Sequence, residues 1–443
     1  MKLLLAVLKL LITLVLVPLS LDWRSPLLAC VRQWALIGLI AVPVVLIFAE
    51  VLALRTAKPG ERVLKVLNTL GLLLAVTALT ATVAIEARFQ WARHHVLHAD
   101  PARLEKLGRH IVVGYQDLSE VKELVRLRAI TGVFVSSRNV LDKTVVEVRQ
   151  EIQSLQDQRQ KQGLPPLWIA TDQEGGVVSR VSPPLARMPP ISEVMETYPD
   201  PAQREKRVRQ YALRQGRELS ALGINLNFAP VVDVNYQIRN PNDRFTRIHL
   251  RAISSDPAVV AQVAGWYCCA LEQAGVQSTL KHFPGLGRVF EDTHAGNATL
   301  ATPLEELFNS DWVPFRTLMG QGNVFTMLSH VRLAAIDADR PVSTSPLVVS
   351  GLLRGKWKYE GVLITDDFSM SAVYRSGVGI ENGSIDALNA GVDLILISWD
   401  ADQYYRVMHA LLKAGRDGKL SPEALIRSDR RIERARQALS QKR

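Results

Sequence analysis

The chain has 443 residues, 48% of them hydrophobic and 22% charged, enough to bury the core of one large domain or two ordinary ones. Its net charge of +10 suits nucleic acid, an anionic membrane surface or an acidic polymer. No stacking motif or nucleic-acid module accompanies the charge, so no nucleic-acid partner is expected. Three cysteines, Cys30, Cys268 and Cys269, exclude a disulfide framework. No Cys/His spacing fits a zinc site, so neither a metal nor any other cofactor is expected.

The first hundred residues are dominated by apolar runs. Leu3 to Leu19 is interrupted only by Lys9, Trp34 to Leu54 only by Glu50, and Val66 to Ile85 carries no charge. Each is about long enough to cross a bilayer, and nothing amphipathic alternates in them, which predicts a membrane region over residues 1–97 with three transmembrane helices. A signal peptide is the other reading of the first run, but no small-x-small cleavage site follows it. The loop holding Arg55, Lys58, Arg62 and Lys65 is more basic than the loop around Arg24 and Arg32. It is therefore expected in the cytoplasm, with the remainder of the chain on the far side of an inner membrane, in the periplasm of a bacterium.

From residue 98 onward the pattern changes. After a polar helical passage, Asp100 to Arg109, short β-branched or apolar runs alternate with longer amphipathic ones. Eight runs read as strands: Ile111 to Gly114, Gly132 to Ser136, Leu167 to Thr171, Ile224 to Phe228, Gln277 to Leu280, Val324 to Ser329, Val362 to Thr365 and Val392 to Ile397. Helical segments such as Leu141 to Gln160, Arg204 to Leu222, Pro257 to Gln273 and Ser384 to Ala390 separate them. The α/β alternation predicts a (β/α)8 TIM-type barrel over 98–443. A doubly wound open sheet is the alternative, although no Gly-rich phosphate fingerprint follows the first strand. The tail from Tyr404 reads as two basic helices split near Ser421 and Pro422, closing the barrel.

A barrel concentrates chemistry in the loops after its strands, and the reactive residue types fall there. Asp172 follows the third run, Asp233 the fourth, Lys281 and His282 the fifth, His330 the sixth and Asp366 the seventh. The densest stretch is Lys281 to His294, KHFPGLGRVFEDTH. In it Pro284, Gly285 and Gly287 shape a loop, and Asp292 stands two residues before His294. An Asp beside a His fixes its tautomer and raises its basicity, which makes an imidazole a proton shuttle near neutral pH. Residues of these types also occur in ordinary polar loops. Asp172 could equally cap a helix, and Asp233 is as well suited to a structural role as to a catalytic one.

KHFPG followed by D-x-H, together with IATDQEGGVVSR (Ile169 to Arg180), NFAPVVDV (Asn227 to Val234), RAISSDP from Arg251 and GVLITDDFSM (Gly361 to Met370), resembles the motif set of the family 3 glycoside hydrolases. The likeness is closest to bacterial β-N-acetylglucosaminidases. It extends from about Arg109 to Ile397 and leaves the membrane segments uncovered. It implies that Asp366 is the nucleophile, that His294 with Asp292 is the acid/base pair, and that Asp172, Arg180, Arg251, Lys281, His282 and His330 bind the sugar. A strand-end carboxylate attacking an anomeric carbon forms a glycosyl ester and divides one hard displacement into two easier ones. Asp367, next to it, points elsewhere if the strand alternates.

Three departures stand at or near the implied pocket: Leu286 where the family usually has a second His, Val177 where it has Arg, and Ala252 where it has Ser. None removes a catalytic group; each removes a polar contact. The resemblance implies a membrane-anchored, retaining exo-β-N-acetylhexosaminidase acting on peptidoglycan-derived or related amino-sugar glycosides. Its expected partners are that carbohydrate and the lipid bilayer. A glycoside phosphorylase, a β-glycosidase of other sugar specificity, and an inactive sugar-binding envelope protein are the alternatives.

Overall fold

The computed structural model describes the whole chain except Pro199, Arg239, Asn242, Ala295, Gly322, Asn323, Lys442 and Arg443. It divides into two compact units, Met1–His98 and Ala99–Arg443.

The first unit contains three helices long and apolar enough to cross a membrane: α1 (Lys2–Leu21), α2 (Arg32–Thr56) and α3 (Arg62–Leu97). At 36 residues, α3 is about 54 Å long, well beyond a hydrocarbon core of about 30 Å. Its last turns, with Arg88, Arg93, His94 and His95, therefore project past the apolar zone. The two charges that interrupt the apolar runs meet inside the bundle. Lys9 Nζ lies 2.7 Å from Glu50 and 3.3 Å from Asn68 Oδ1, so each charge is paired within the bundle. Gly71 makes this possible, because a Cβ there would stand 2.6 Å from the Glu50 carboxylate. At the other end Arg24 pairs with Glu86 and lies over the Phe89 ring.

In the second unit all eight expected runs become strands, and they close in sequence order. They are β1 (Ile111–Gly114), β2 (Gly132–Phe134), β3 (Trp168–Thr171), β4 (Leu226–Asn227), β5 (Gln277–Phe283), β6 (Phe325–Leu328), β7 (Leu363–Asp367) and β8 (Leu394–Ile397). Every neighbouring pair is parallel, including β1 with β8. Parallel strands covered on both faces need apolar side chains throughout, which explains the short unbroken β-branched runs. Val112, Phe134, Trp168, Leu226, Phe325, Met327, Ile364 and Leu396 fill the interior. The C-terminal helix Pro422–Ser440 completes it: Ile432, Ala435 and Leu439, spaced on one helical face, join the same core cluster. The tail thus closes the barrel.

Candidate active site

The C-terminal ends of the strands bring most of the expected residues together, in two groups. The first is buried. Asp172 follows β3, and the hairpin Gln173–Gly175 with Val178–Ser179 returns Glu174 beneath it. Lys281, on β5 and 2% exposed, donates to Asp172 and contacts Glu174, each at 2.6 Å. Arg251 grips the same Glu174 with two bonds of 2.9 and 2.7 Å and donates to the Thr246 carbonyl at 2.7 Å. Burial alone would raise the Glu174 pKa, but Arg251 and Lys281 outweigh it and hold the carboxyl down at about 2. Glu174 thus keeps two cations aligned while Asp172, only partly buried, faces the opening.

His282 adjoins this network. Its Nδ1 donates to Asp233 Oδ2 at 2.7 Å, and its Nε2 faces Arg251 Nη2 at 3.3 Å. Asp233 is fully buried and also accepts from the backbone N–H groups of His282 and Leu286. With its lone pairs occupied, Asp233 acts as a clamp that shapes the loop after β5. The turn beyond requires glycine at 287, where a Cβ would collide with the Val234 carbonyl.

At the end of β7 the two adjacent aspartates differ. Asp367 accepts from Ser369 N, Ser398 N, Ser398 Oγ and Trp399 N at 2.7 to 2.9 Å, which ties β7 to the loop after β8. Asp366 accepts from Asp367 N at 2.8 Å. Burial raises its pKa, but the neighbouring His282, His330 and His294, with the Asp367 N–H, outweigh it and leave it below the ordinary carboxylate value. A carboxylate at a strand end whose ionised form is favoured has the protonation state that nucleophilic attack requires. His330 is itself engaged at both ring nitrogens. Nε2 donates to the Asp367 carbonyl at 3.1 Å and Nδ1 lies 2.8 Å from Ser343 Oγ, while burial lowers its pKa. Both of its ring nitrogens are thus committed inside the protein.

The second group sits on loops. His294 is 40% exposed at its side chain, and its Nδ1 donates to Asp292 Oδ1 at 3.0 Å, leaving Nε2 as the nitrogen to exchange a proton. Asp292 also accepts from His294 N, Thr246 Oγ1 and Phe245 N. Although burial opposes it, these bonds hold the Asp292 pKa well below the usual range. The Phe245 ring stands 5.6 Å from the imidazole, and Asn240 bonds the Phe290 carbonyl at 3.0 Å. Phe245 and Thr246 are thus what support the dyad, with Asn240 holding the backbone of the same loop.

Arg180 is exposed and reaches Asp172 only through its backbone N–H; its guanidinium does not join the buried cluster. Glu174 escaped the sequence reading, although its spacing of two from Asp172 on an extended segment placed both side chains on one face. Thr246 carried no such signal. Of the departures, Leu286 is buried and Val177 is 43% exposed at the hairpin tip. Ala252 is 1% exposed, beside Arg251.

Comparison with known proteins agrees with this architecture. The sequence model of the Glycosyl hydrolase family 3 N terminal domain matches residues 103–435. The chain is 33% identical over 335 residues to the beta-hexosaminidase LpqI of Mycobacterium tuberculosis, covering 74% of this chain and 81% of that protein. It is 36% identical over 272 residues to a beta-hexosaminidase of Xylella fastidiosa, covering 61% and 76%. Among solved structures it resembles a family 3 beta-N-acetylglucosaminidase from Paenibacillus sp. str. FPU-7, with a TM-score of 0.70 and 30% identity over 76% of this chain; it spans 62% of that longer chain. It also resembles M. tuberculosis LpqI, with a TM-score of 0.66 and 31% identity over 76% of this chain and 96% of the other.

Proposed function

The chain belongs to glycoside hydrolase family 3, and from that premise we propose that it is a retaining exo-β-N-acetylhexosaminidase working through a glycosyl ester on Asp366. The observation that carries this reading is the contrast at the end of β7: Asp367 is saturated by four donors, while Asp366 is kept ionised among three histidines. Asp172 and Lys281 hold hydroxyls of the terminal sugar, with His282 beside them. Arg251, committed to Glu174, sets their positions. Asp366 attacks the anomeric carbon as His294 gives its Nε2 proton to the departing oxygen, with Asp292 stabilising the imidazolium. In the second half His294 takes a proton from water, which attacks the ester and returns Asp366 to its carboxylate form.

The beta-hexosaminidase names of the relatives and the beta-N-acetylglucosaminidase neighbour support an N-acetylated amino sugar. Peptidoglycan fragments are the natural class for an envelope-bound enzyme of this kind. We place the protein in the inner membrane through its three apolar helices, with the barrel on the periplasmic side because the basic loop Arg55 to Lys65 holds its end of α2 and α3 in the cytoplasm. A reporter joined after Leu97 should signal a periplasmic location; a cytoplasmic signal reverses the orientation.

The deciding experiment traps the ester. A slow, activated N-acetylglucosaminide should add one glycosyl mass to the intact protein, mapped by peptide analysis to Asp366, and Asp366→Ala should lose turnover by about 10,000-fold or more. A label on Asp367 would overturn the assignment.

A further inference from the structure

A second charged site lies at the opposite end of the barrel, where the strands begin. A cavity of about 550 Å³ opens there between the approaches to β1, β2 and β3 and the C-terminal helix, a size ordinary for a small-molecule site. Five arginines line it: Arg109, Arg159, Arg430, Arg434 and Arg436. Only two acids do so, Asp429 and Glu433, and behind the lining Glu105 pairs with Arg109 at 3.0 Å, so the lining keeps a positive excess carried by Arg159, Arg430, Arg434 and Arg436. Asp429 stands 3.8 Å from Arg109 and 3.8 Å from His110, and Glu433 accepts from Gln437 at 3.2 Å.

The excess reaches a buried group. Among the described residues three arginines are buried, Arg24, Arg159 and Arg431. Arg24 pairs with Glu86, and Arg431 pairs with Glu360 and Asp393. Arg159, 4% exposed, has no carboxylate within ion-pair distance. Its Nε donates to the Pro165 carbonyl at 3.2 Å, and its Nη1 is buried without a partner. Arg436 sits close by, bonded to the Pro166 carbonyl and, at 2.7 Å, to Thr131 Oγ1. Burial and then the repulsion of Arg159 pull its pKa down to about 9, and burial takes Arg159 down to about 10. A buried guanidinium is costly unless an anion shares its burial, and here the nearest acid, Glu105, acts on Arg159 only from a distance and is itself paired with Arg109 and Arg128.

We propose that this cavity binds a phosphate-bearing anion, either a soluble diphosphate-type group or the headgroup phosphate of an anionic lipid. A lone carboxylate would cancel only one charge of that excess. A phosphoryl group presents several acceptor oxygens to guanidinium forks arriving from the C-terminal helix and from the segment before β3, and it carries more charge. The hydroxyl of Thr131, which already accepts from Arg436, and the amide of Gln437, also on the lining, add neutral donors. The cavity is at the end of the barrel away from Asp366 and His294, so its ligand acts on stability or placement and not on bond cleavage.

The test uses the full chain in phosphatidylcholine nanodiscs, followed by thermal unfolding as inorganic diphosphate is added at constant ionic strength, with chloride as control. The midpoint should rise with diphosphate, as for any ligand that binds the folded state alone. Arg430→Gln and Arg434→Gln, both at exposed positions, should each raise the half-maximal concentration about tenfold, the equivalent of one charged hydrogen bond. Arg159→Gln should remove the response. Aryl-glycoside hydrolysis should be unchanged in the two exposed variants. Replacing part of the lipid by phosphatidylglycerol separates the sources: suppression of the response identifies a lipid headgroup, and an unchanged response identifies a soluble ligand. No rise above the chloride control, or an equal rise in Arg430→Gln and Arg434→Gln, would overturn the proposal.

Discussion

The two halves of the candidate active site are built to different standards of rigidity. The half formed by Asp172, Glu174, Arg251, Lys281, His282 and Asp233 is a closed network of charge-assisted bonds on strand ends, and most of its members are nearly inaccessible to water. The half formed by Asp292 and His294 rests on two loops, with the imidazole 40% exposed and its Asp held largely by Thr246 and Phe245. The difference matches the work proposed for each half. Recognition of one sugar ring needs donors that cannot drift, because a displaced hydrogen bond forfeits most of its selectivity. A group that must protonate a leaving oxygen and later deprotonate water has to serve two partners in turn, and a loop permits that. One wire joins the halves: Arg251 holds Glu174 on one side and the Thr246 carbonyl on the other.

The loop half breaks first and furthest. His294→Ala should lose about 100-fold to 10,000-fold in the glycosylation step with a sugar leaving group, and much less with a very acidic phenol, which departs with little protonation. Asp292→Ala should show a milder version. Pre-steady-state kinetics with both substrates is the appropriate measurement, since ester hydrolysis limits the activated one. Equal losses in the first step would make His294 a binding residue and move the acid role elsewhere on the loop, with Glu291 next in line.

In the rigid half the equivalent cut falls on Glu174, and it should appear as lost stability. Glu174→Gln removes the one carboxylate that Arg251 and Lys281 share and leaves Arg251 without an ion pair, at a cost of about 3 to 5 kcal/mol, read as a lowered denaturant midpoint. The same carboxylate sets an acid limit. Its folded pKa, about 2, lies below the ordinary 4.5, so its contribution is complete above about 4.5 and is lost as the pH falls towards 2. Glu174→Gln should therefore flatten the acid limb of the stability profile.

Smaller effects test the borders between the halves. Leu286→His and Val177→Arg restore polar groups next to the pocket, and each regained bond to a charged group is worth about 1.5 to 3 kcal/mol at best. kcat/KM on N-acetylglucosaminides should rise; no change in either variant places both side chains outside the pocket. Least of all, Thr246→Val removes one of the bonds to Asp292 and should cost about three- to tenfold on the sugar leaving group. That loss should appear in kcat and the pH profile, with KM held.

Reading the residues alone located the eight barrel strands, since a parallel strand buried on both faces has to be a short apolar run whatever its neighbours are. It located the three apolar helices for a related reason: a bilayer asks for length and apolarity, both of which are local. The strand-end position of Asp366, Lys281 and Asp172 followed from the same alternation. Pairing was beyond it. Glu174 becomes the anchor of the site only because β5 and the segment around Arg251 arrive on either side of it. Asp233 proves to be a clamp because the backbone of residues 282 and 286 turns towards it, and Arg180, drawn from the same motif as Asp172, ends outside the cluster. Lys9 and Glu50 look like flaws in two separate spans until the bundle sets them 2.7 Å apart. Charge and hydrogen bonding act over a few ångströms in space, whereas sequence orders residues along the chain, so which acid meets which base is decided when the chain closes on itself.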